Sequence, residues 1–296
     1  FLSGIYEGKT LGTPIAFIVR NADHHSSDYD NLKDLFRPSH ADFTFLSKYG
    51  IRDHRGGGRA SARTTIAQCV AGALAKLALR QLAPQMDIYA FCSQIGTIYA
   101  NNPADIKAAR AISDSNAVRC PDSEAANKME SLIKEVHKEQ DSIGGVVSCI
   151  IENCPVGLGE PLFDKLHARL GYTMLNINAA KGFEYGDGFD SATQRGSYHN
   201  DSFTTNEKGN IATTSNHSGG IQGGISNGQT ISFRVAFKPT PTIGIAQQTV
   251  DKNLNAVTLE AKGRHDPCVV PRAVPVVENC AAFVILDSLL MNKIWQ

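Results

Sequence analysis

Apolar and polar positions divide the chain into stretches with helical and with strand periodicity. The clearest helix is predicted from about Arg59 to Leu82, where apolar residues recur every three or four positions. Further helices are predicted after Pro121-Asp122-Ser123, over 161–170 and over 277–291, and strands over 13–20, 88–95, 146–151, 230–237 and 257–261. Strands separated by long helices indicate a layered mixed α/β or α+β fold.

Composition places the chain among globular proteins. It has 296 residues, of which 42% are hydrophobic, enough for a buried core in one large domain or about two domains. Lys plus Arg and Asp plus Glu number 29 each, so no net charge attracts nucleic acid or an anionic membrane. No apolar run approaches the roughly 18 residues of a spanning helix. Seven scattered cysteines without a C-x-x-C pair favour a reduced, cytoplasmic setting over a disulfide framework or zinc ribbon.

A glycine run between arginines is the first candidate for chemistry. In Arg55-Gly-Gly-Gly-Arg59-Ala-Ser-Ala-Arg63, the glycines let a ligand approach the backbone, and the following helix offers free N–H groups. Arg59 and Arg63 add full positive charges, so the stretch predicts an anion site. It has neither the lysine of a Walker loop nor the spacing of a dinucleotide fingerprint. The alternative is a flexible turn with solvated arginines.

Two short segments combine groups that can move protons. Histidine is a side chain that can exchange protons near neutral pH, so His40 is a candidate, and Asp42 could orient it. The alternative is a loop histidine beside an Asx turn. Arg264 and Asp266 follow a predicted strand and would share one side if its alternation continued. A carboxylate beside an arginine stays ionised and can accept a proton. The alternative there is a structural Arg–Asp pair.

Three weaker signals remain. Lys238-Pro-Thr-Pro-Thr242 is a proline-stiffened turn with a lysine and two hydroxyls, which suits a phosphate. The alternative is an ordinary proline turn. The stretch 182–228 holds ten of the 26 glycines, and His217-Ser-Gly-Gly220 within it is either a backbone cradle for a flat ligand or a mobile loop. His24 and His25 are adjacent and point in different directions, so no metal site is predicted.

The cationic candidates are numerous enough to define a ligand class. If Arg37, Arg59, Arg63, Arg264 and Lys238 share one site, only a ligand with several negative charges could compensate them. The residues alone therefore predict a site for a polyanionic small molecule, with one histidine and one aspartate able to move protons.

Seven motifs, spread in order across nearly the whole chain, resemble chorismate synthase. They are Phe36-Arg-Pro-Ser-His-Ala-Asp42, Gly56-Gly-Gly-Arg-Ala-Ser-Ala-Arg63, Gly186-Asp-Gly-Phe189, Ser215-Asn-His-Ser-Gly-Gly220, Gly223-Gly-Ile-Ser226, Lys238-Pro-Thr240 and Gly263-Arg-His-Asp-Pro267. The resemblance implies an α+β fold, a β-α-β sandwich with helices layered between antiparallel sheets. It also implies one domain over residues 1–296 and a homotetramer.

The resemblance implies a lyase reaction. In that family, 5-enolpyruvylshikimate 3-phosphate loses phosphate from C3 and hydrogen from C6 by anti-1,4-elimination and gives chorismate, the last common step of the shikimate pathway to aromatic amino acids. Reduced FMN is required without net redox change. Nothing in the chain looks like a separate NADPH module, so an external reductant is expected, with NADPH as a candidate electron source. A substrate with one phosphate and two carboxylates matches the arginine count.

The resemblance also implies roles for individual residues. His40 would protonate the reduced flavin, and Asp266 would work with flavin N5 in proton removal. The implied substrate-binding residues are Arg37, Arg63 and Arg264. The implied flavin-binding residues are Arg59, Ala60, Ser61, Asn178, Ala179, Gly223, Lys238, Pro239, Thr240, Pro241, Thr242 and again Arg264.

The chain departs from the family at its front. Members begin with a segment that carries another catalytic histidine, in a Gly-Glu-Ser-His-Gly stretch, followed by an arginine cluster. Neither feature occurs in these 296 residues. The opening residues Phe1-Leu2-Ser3 have the pattern of the middle of a strand and no initiator Met. The natural N-terminus is therefore expected to be missing. Two alternatives stay open: an anion- or nucleotide-binding protein that keeps the flavin pocket without catalysis, and a phosphotransferase using the glycine run.

Overall fold

The computed structural model describes residues 1–21, 32–55, 57–207, 209–260 and 266–295. The helices in these residues are α1 (Asp42–Tyr49), α2 (Ile66–Leu82), α3 (Ile106–Asp114), α4 (Ser123–Lys138), α5 (Leu166–Leu175), α6 (Gly196–His199) and α7 (Val270–Asn292). The strands are β1 (Ile5–Tyr6), β2 (Lys9–Thr10), β3 (Asp87–Ile95), β4 (Ile98–Tyr99), β5 (Gly145–Glu152), β6 (Ala180–Tyr185), β7 (Phe203–Thr205), β8 (Ile211–Thr213), β9 (Ile221–Gln222), β10 (Ile225–Ser226), β11 (Ile231–Phe237), β12 (Gln247–Val250) and β13 (Ala256–Leu259).

A five-stranded sheet with the order β4-β3-β5-β11-β6 is the centre of the described fold. Every neighbouring pair in it is antiparallel. In β11, alternate residues from Ile231 to Phe237 are buried, as expected for a strand with one face in the core. The remaining strands form four two-stranded sheets.

Helices α2 and α7 pack against each other, and α7 also lies on β3. Gly72 of α2 faces Asn279 of α7 so closely that no side chain fits between them. By length and apolar composition, Val270–Trp295 is the one stretch of the described residues that could cross a membrane. More than half of its most apolar window is buried against the rest of the chain, which is typical of a core helix.

The other face of β3 carries a smaller apolar cluster. Tyr89 and Phe91 stack on each other there and pack with Ile106 and Ala109 of α3. Strand β3 is therefore buried on both faces, which explains why its sequence is a nearly continuous apolar run.

Most of the predicted elements are confirmed. The strands predicted over 88–95, 146–151 and 230–237 correspond to β3, β5 and β11 within a residue. Asp122 caps α4, as its place before Ser123 predicts, since its carboxylate accepts hydrogen bonds from the backbone N–H groups of Glu124 and Ala125. The mixture of helices with antiparallel strands confirms an α+β fold.

Four expectations about elements were wrong. Residues 13–20 are largely exposed and make only an isolated bridge between Ala16 and Ser3. Helix α2 begins at Ile66, because 3₁₀ turns at Gly58–Ala60 and Ala62–Thr65 precede it. Helix α7 begins seven residues before the predicted start, and α5 five residues after its own. Pro271 lies in the first turn of α7, where the backbone N–H groups need no helical partner, whereas Pro275 lies inside the helix.

Candidate active site

A buried ion cluster surrounds the Asp42 carboxylate at the start of α1. Arg37 donates to it from Nε, Nη2 and its backbone N–H, over 2.8, 2.8 and 3.0 Å. Nδ1 of His40 lies 3.0 Å from Oδ1 of Asp42 and 3.0 Å from Nη2 of Arg37. The side chains of Arg37, His40 and Asp42 are 8%, 15% and 3% exposed, respectively. The structure thus confirms the contact between His40 and Asp42 that their spacing predicts.

Burial and hydrogen bonding act in opposite directions on Asp42. Burial alone would raise the pKa of its carboxyl, but the hydrogen bonds from Arg37 and His40 hold that pKa well below its usual range. The first turn of α1 also favours a negative charge at this position. Asp42 is therefore ionised at neutral pH.

Arg52 completes the cluster and was not found from the sequence. Its Nη1 lies 2.8 Å from Oδ1 of Asp42, and its Nη2 donates to the carbonyl oxygens of Leu32 and Lys33 at 2.8 Å each. It precedes the glycine run by a few residues but belongs to no recognisable motif. Only the folded chain brings it to Asp42.

A cavity of about 130 Å³ joins this cluster to the glycine run. Its lining residues are His40, Ala41, Asp42, Phe45, Ile51, Arg52, Asp53, Gly57, Gly58 and Ala60. The predicted proton-transferring histidine and the predicted anion loop therefore share one cavity. Arg37 does not line it.

Arg59, Ser61 and Arg63 lie on the two 3₁₀ turns at the rim of this region. The Ser61 hydroxyl accepts from the Arg63 backbone N–H at 3.2 Å and so closes the second turn. Both arginine side chains are exposed, and no carboxylate among the described residues pairs with either. Two unpaired guanidinium groups beside a glycine loop are suited to bind an anion.

A second arm of the site comes from the ends of β6 and β11. Thr64 donates to Oδ1 of Asn178 at 3.4 Å, which links the turns to the chain just before β6. The Ala179 carbonyl accepts from the backbone N–H of Lys238 at 3.0 Å. Ala179 has a positive φ of 70°, which turns the chain from the end of α5 into β6. Two antiparallel strands thus bring predicted flavin-binding positions from distant sequence together.

Lys238 connects this arm to the ion cluster. Its Nζ donates to the carbonyl oxygen of Ser39 at 2.7 Å, next to His40. Burial and then the charge of Lys181 lower the pKa of Lys238. Lys181 is a second residue that the sequence did not single out. Two ammonium groups near each other favour an anion between them.

The turn after Lys238 holds an unsatisfied polar group. Oγ1 of Thr240 is buried without a hydrogen-bond partner, while its carbonyl accepts from the Ser142 hydroxyl at 2.7 Å. Pro239 and Pro241 flank it and restrict the backbone. An unsatisfied hydroxyl two residues after Lys238 is the kind of donor that suits a phosphate. The cavity of about 130 Å³ is smaller than the roughly 300–1,000 Å³ of ordinary ligand pockets, so it would not hold a whole flavin by itself.

Two of the predicted residues that the structure describes are not brought to this group. Asp266 lines a separate cavity of about 590 Å³ and pairs with Arg272 at 3.2 Å. The carbonyl oxygen of Pro267, the next residue, accepts a hydrogen bond from the Ile143 backbone N–H. Ile143 follows Ser142, whose hydroxyl donates to the Thr240 carbonyl. Gly223 lies in the turn between β9 and β10. This turn contacts the start of α5, whereas Asn178 follows the end of α5. Arg264 lies outside the described residues.

The stretch around His217 forms its own groove. Nδ1 of His217 lies 2.7 Å from Oδ2 of Asp187, and a groove of about 630 Å³ runs past both the histidine and Tyr185. No residue of the His40 cavity lines it. In the part of the chain that the structure describes, no group of three or more His, Cys, Asp or Glu residues could hold a metal ion. His24 and His25 lie outside that part.

Comparison with known proteins assigns the chain to a family. A family model described as chorismate synthase matches residues 1–290. The chain belongs to the chorismate synthase family. A chorismate synthase of Parabacteroides distasonis is 59% identical over 294 residues, which cover 99% of this chain and 81% of that protein. One of Cytophaga hutchinsonii is 57% identical over 293 residues, covering 99% and 80%.

A solved structure supports the same assignment. A crystal structure of chorismate synthase has a TM-score of 0.76 with this chain at 31% identity, and the match covers 98% of this chain and 77% of the other. The fold class expected from the resemblance is confirmed. The chain is accordingly an enzyme of a lyase family that cleaves carbon–oxygen bonds to phosphate and uses a flavin.

Proposed function

We propose that the chain converts 5-enolpyruvylshikimate 3-phosphate into chorismate by anti-1,4-elimination, with loss of phosphate from C3 and hydrogen from C6. This is the last common step of the shikimate pathway to aromatic amino acids. The observation that supports it is that His40 and the glycine run line one cavity, with Lys238 hydrogen-bonded to Ser39, the residue before His40. A substrate with a phosphate and two carboxylates requires such an excess of cations.

The residues divide the work between binding and proton transfer. His40 would protonate the reduced flavin. Asp266 would accept the C6 proton, although it lines a separate cavity and pairs with Arg272 in this structure. Arg59, Ala60 and Ser61 bind the flavin together with Asn178, Ala179, Gly223, Arg264 and the turn of Lys238, Pro239, Thr240, Pro241 and Thr242. Arg63 and Arg264 bind the substrate anions.

The cofactor of this proposal is reduced FMN. A reduced flavin supplies an electron-rich ring that donates transiently and weakens the C3–oxygen bond. The reductant is external, and NADPH is a candidate source of electrons. The enzyme works as a homotetramer in the cytoplasm, without nucleic acid or a membrane as partner.

Turnover under anaerobic conditions tests the proposed function. The protein with chemically reduced FMN and 5-enolpyruvylshikimate 3-phosphate should form chorismate and phosphate in equal amounts. With oxidised FMN, no product should form. Tight binding of both ligands without phosphate release would contradict the enzyme assignment in favour of a flavin-binding protein.

Arg63→Ala should weaken substrate binding more than flavin binding. The exposed guanidinium has no described carboxylate partner, so its loss removes a charge-assisted interaction of about 1.5 kcal/mol, or roughly tenfold in affinity. The KM for substrate should rise about tenfold, and the Kd for FMN, from fluorescence titration, should change far less. Arg80→Ala, an exposed arginine near the end of α2, is the control. Equal losses for the two ligands would show that Arg63 serves the fold.

A further inference from the structure

We propose that Asp42, held by Arg37 and Arg52, is the positioning residue of His40, and that Arg37 acts through Asp42 without contacting substrate. The resemblance implied a direct substrate contact for Arg37, and it implied no role for Asp42 or Arg52. The kinetic part of this proposal rests on the proposed function, whereas its structural part does not.

The hydrogen bonds of Arg37 are already directed inward. Its Nε and Nη2 each donate to a different carboxylate oxygen of Asp42 at 2.8 Å, the two-point geometry that gives arginine–carboxylate pairs their strength. The residue is 9% exposed and does not line the cavity. Contact with a substrate in that cavity would require this buried pair to break, and separating a buried pair is strongly destabilising.

Arg52 fixes the carboxylate from the other side. One of its nitrogens pairs with Oδ1 of Asp42, and another donates to the carbonyls of Leu32 and Lys33. The Arg52 side chain is only 9% exposed. With two guanidinium groups on one carboxylate, Asp42 cannot rotate away from His40, and the cluster keeps one positive charge beside the cavity.

The ionised carboxylate determines which ring nitrogen carries the hydrogen. An ionised Asp42 can only accept, so the 3.0 Å contact with Nδ1 of His40 is a hydrogen bond when Nδ1 is protonated. Nη2 of Arg37, also 3.0 Å from Nδ1, donates one of its two hydrogens to Asp42. An unprotonated Nδ1 could accept the other hydrogen, but its lone pair would then face the Asp42 carboxylate oxygen at 3.0 Å. We infer the Nδ1–H tautomer, which leaves Nε2, the nitrogen without a described partner, to carry the proton that is transferred.

Asp42→Asn tests the positioning role through the state of the imidazole. In the ¹⁵N NMR spectrum at about pH 8, where an ordinary imidazole is neutral, wild-type His40 should show a protonated Nδ1. A His40→Gln variant identifies its signals. Asp42→Asn should shift the signals toward the Nε2–H tautomer. Wild-type protein with an unprotonated Nδ1, or an unchanged tautomer in the variant, would overturn the proposal.

Kinetics then separate positioning from substrate binding. Asp42→Asn and Arg37→Lys should each lower kcat about tenfold to a hundredfold, the scale of a misplaced catalytic group, with little change in KM. A large rise in KM for Arg37→Lys would instead mean a direct substrate contact and would overturn the assignment of Arg37. If wild-type protein forms no chorismate, the proposed function fails, and the NMR result still decides the tautomer.

Glu278→Gln is the matched control for loss of a buried carboxylate. Glu278 lies 2.5 Å from Lys76 and 3.5 Å from Arg110, is 14% exposed, and does not line the His40 cavity. Glu278→Gln should reduce stability without changing kcat or the tautomer of His40.

A second variant covers the case in which Asp42→Asn fails to fold. Arg52→Gln removes one of the two arginine contacts and should give a mixed tautomer population. An unchanged tautomer in Arg52→Gln would then overturn the role of the cluster.

Discussion

His40→Ala should lower kcat by about a hundredfold or more, the usual scale for the loss of a positioned acid or base. His40 lines the cavity that also contains the glycine run, and its ring contacts an ionised carboxylate. Alanine removes the only imidazole among the described residues that line this cavity. The measurement is single-turnover formation of chorismate with reduced FMN already bound, so that flavin reduction does not limit the rate.

His137→Ala is the control for this substitution. His137 is an exposed histidine in the last turn of α4 and lines none of the cavities described above. It should leave kcat unchanged, and His40→Ala should still bind FMN, because the flavin-binding cations remain. Wild-type kcat in a folded His40→Ala protein would remove His40 from the mechanism.

The sequence predicts the contents of the site better than its geometry. The glycine run and the turn at Lys238 stand out because glycine, proline and paired cations are locally conspicuous. Their meeting depends on the antiparallel pairing of β6 with β11, which places Ala179 opposite the start of the Lys238 turn. Nothing in the local sequence encodes that pairing.

Arg52 and Lys181 show what local patterns cannot reveal. Each is an ordinary surface-type residue in the sequence. Arg52 matters through Asp42, ten residues earlier on a neighbouring helix, and Lys181 through Lys238 at the end of the adjacent strand. Arg37 shows the converse. Its motif suggests an anion-binding group, but the structure pairs it with Asp42, five residues away. Residue type therefore predicts the charge that a site contains, whereas the fold decides whether that charge is available to a ligand.

Errors about secondary structure have physical reasons as well. Residues 13–20 are β-branched and aromatic, but a strand needs a partner, and only one bridge to Ser3 is present. The sequence predicts a helix from about Arg59, but Gly58 adopts a φ of +51°, and tighter 3₁₀ turns replace the first turns of that helix. That exchange leaves Arg59 and Arg63 exposed at the site.

Gly72→Ala should destabilise the protein by about 2 kcal/mol, although alanine is the better helix former. Alanine would gain about 1 kcal/mol of helix propensity in α2. However, its Cβ would lie 2.3 Å from the backbone oxygen of Asn279 in α7, closer than real contacts allow. Relieving such overpacking costs about 3 kcal/mol at the upper end of the usual range. The steric cost therefore exceeds the gain.

Thermal unfolding measures the result, with a fall in Tm of about 4–8 °C expected for a domain of this size. Gly196→Ala at the start of α6 is the matched control, because nothing lies within 4 Å of the added Cβ, and it should change Tm little. A stabilised Gly72→Ala protein would mean that α2 and α7 can separate at little cost. Since α2 directly follows the turns that carry Arg59 and Arg63, the close approach at Gly72 also sets where those arginines lie, and Gly72→Ala should weaken FMN binding as well.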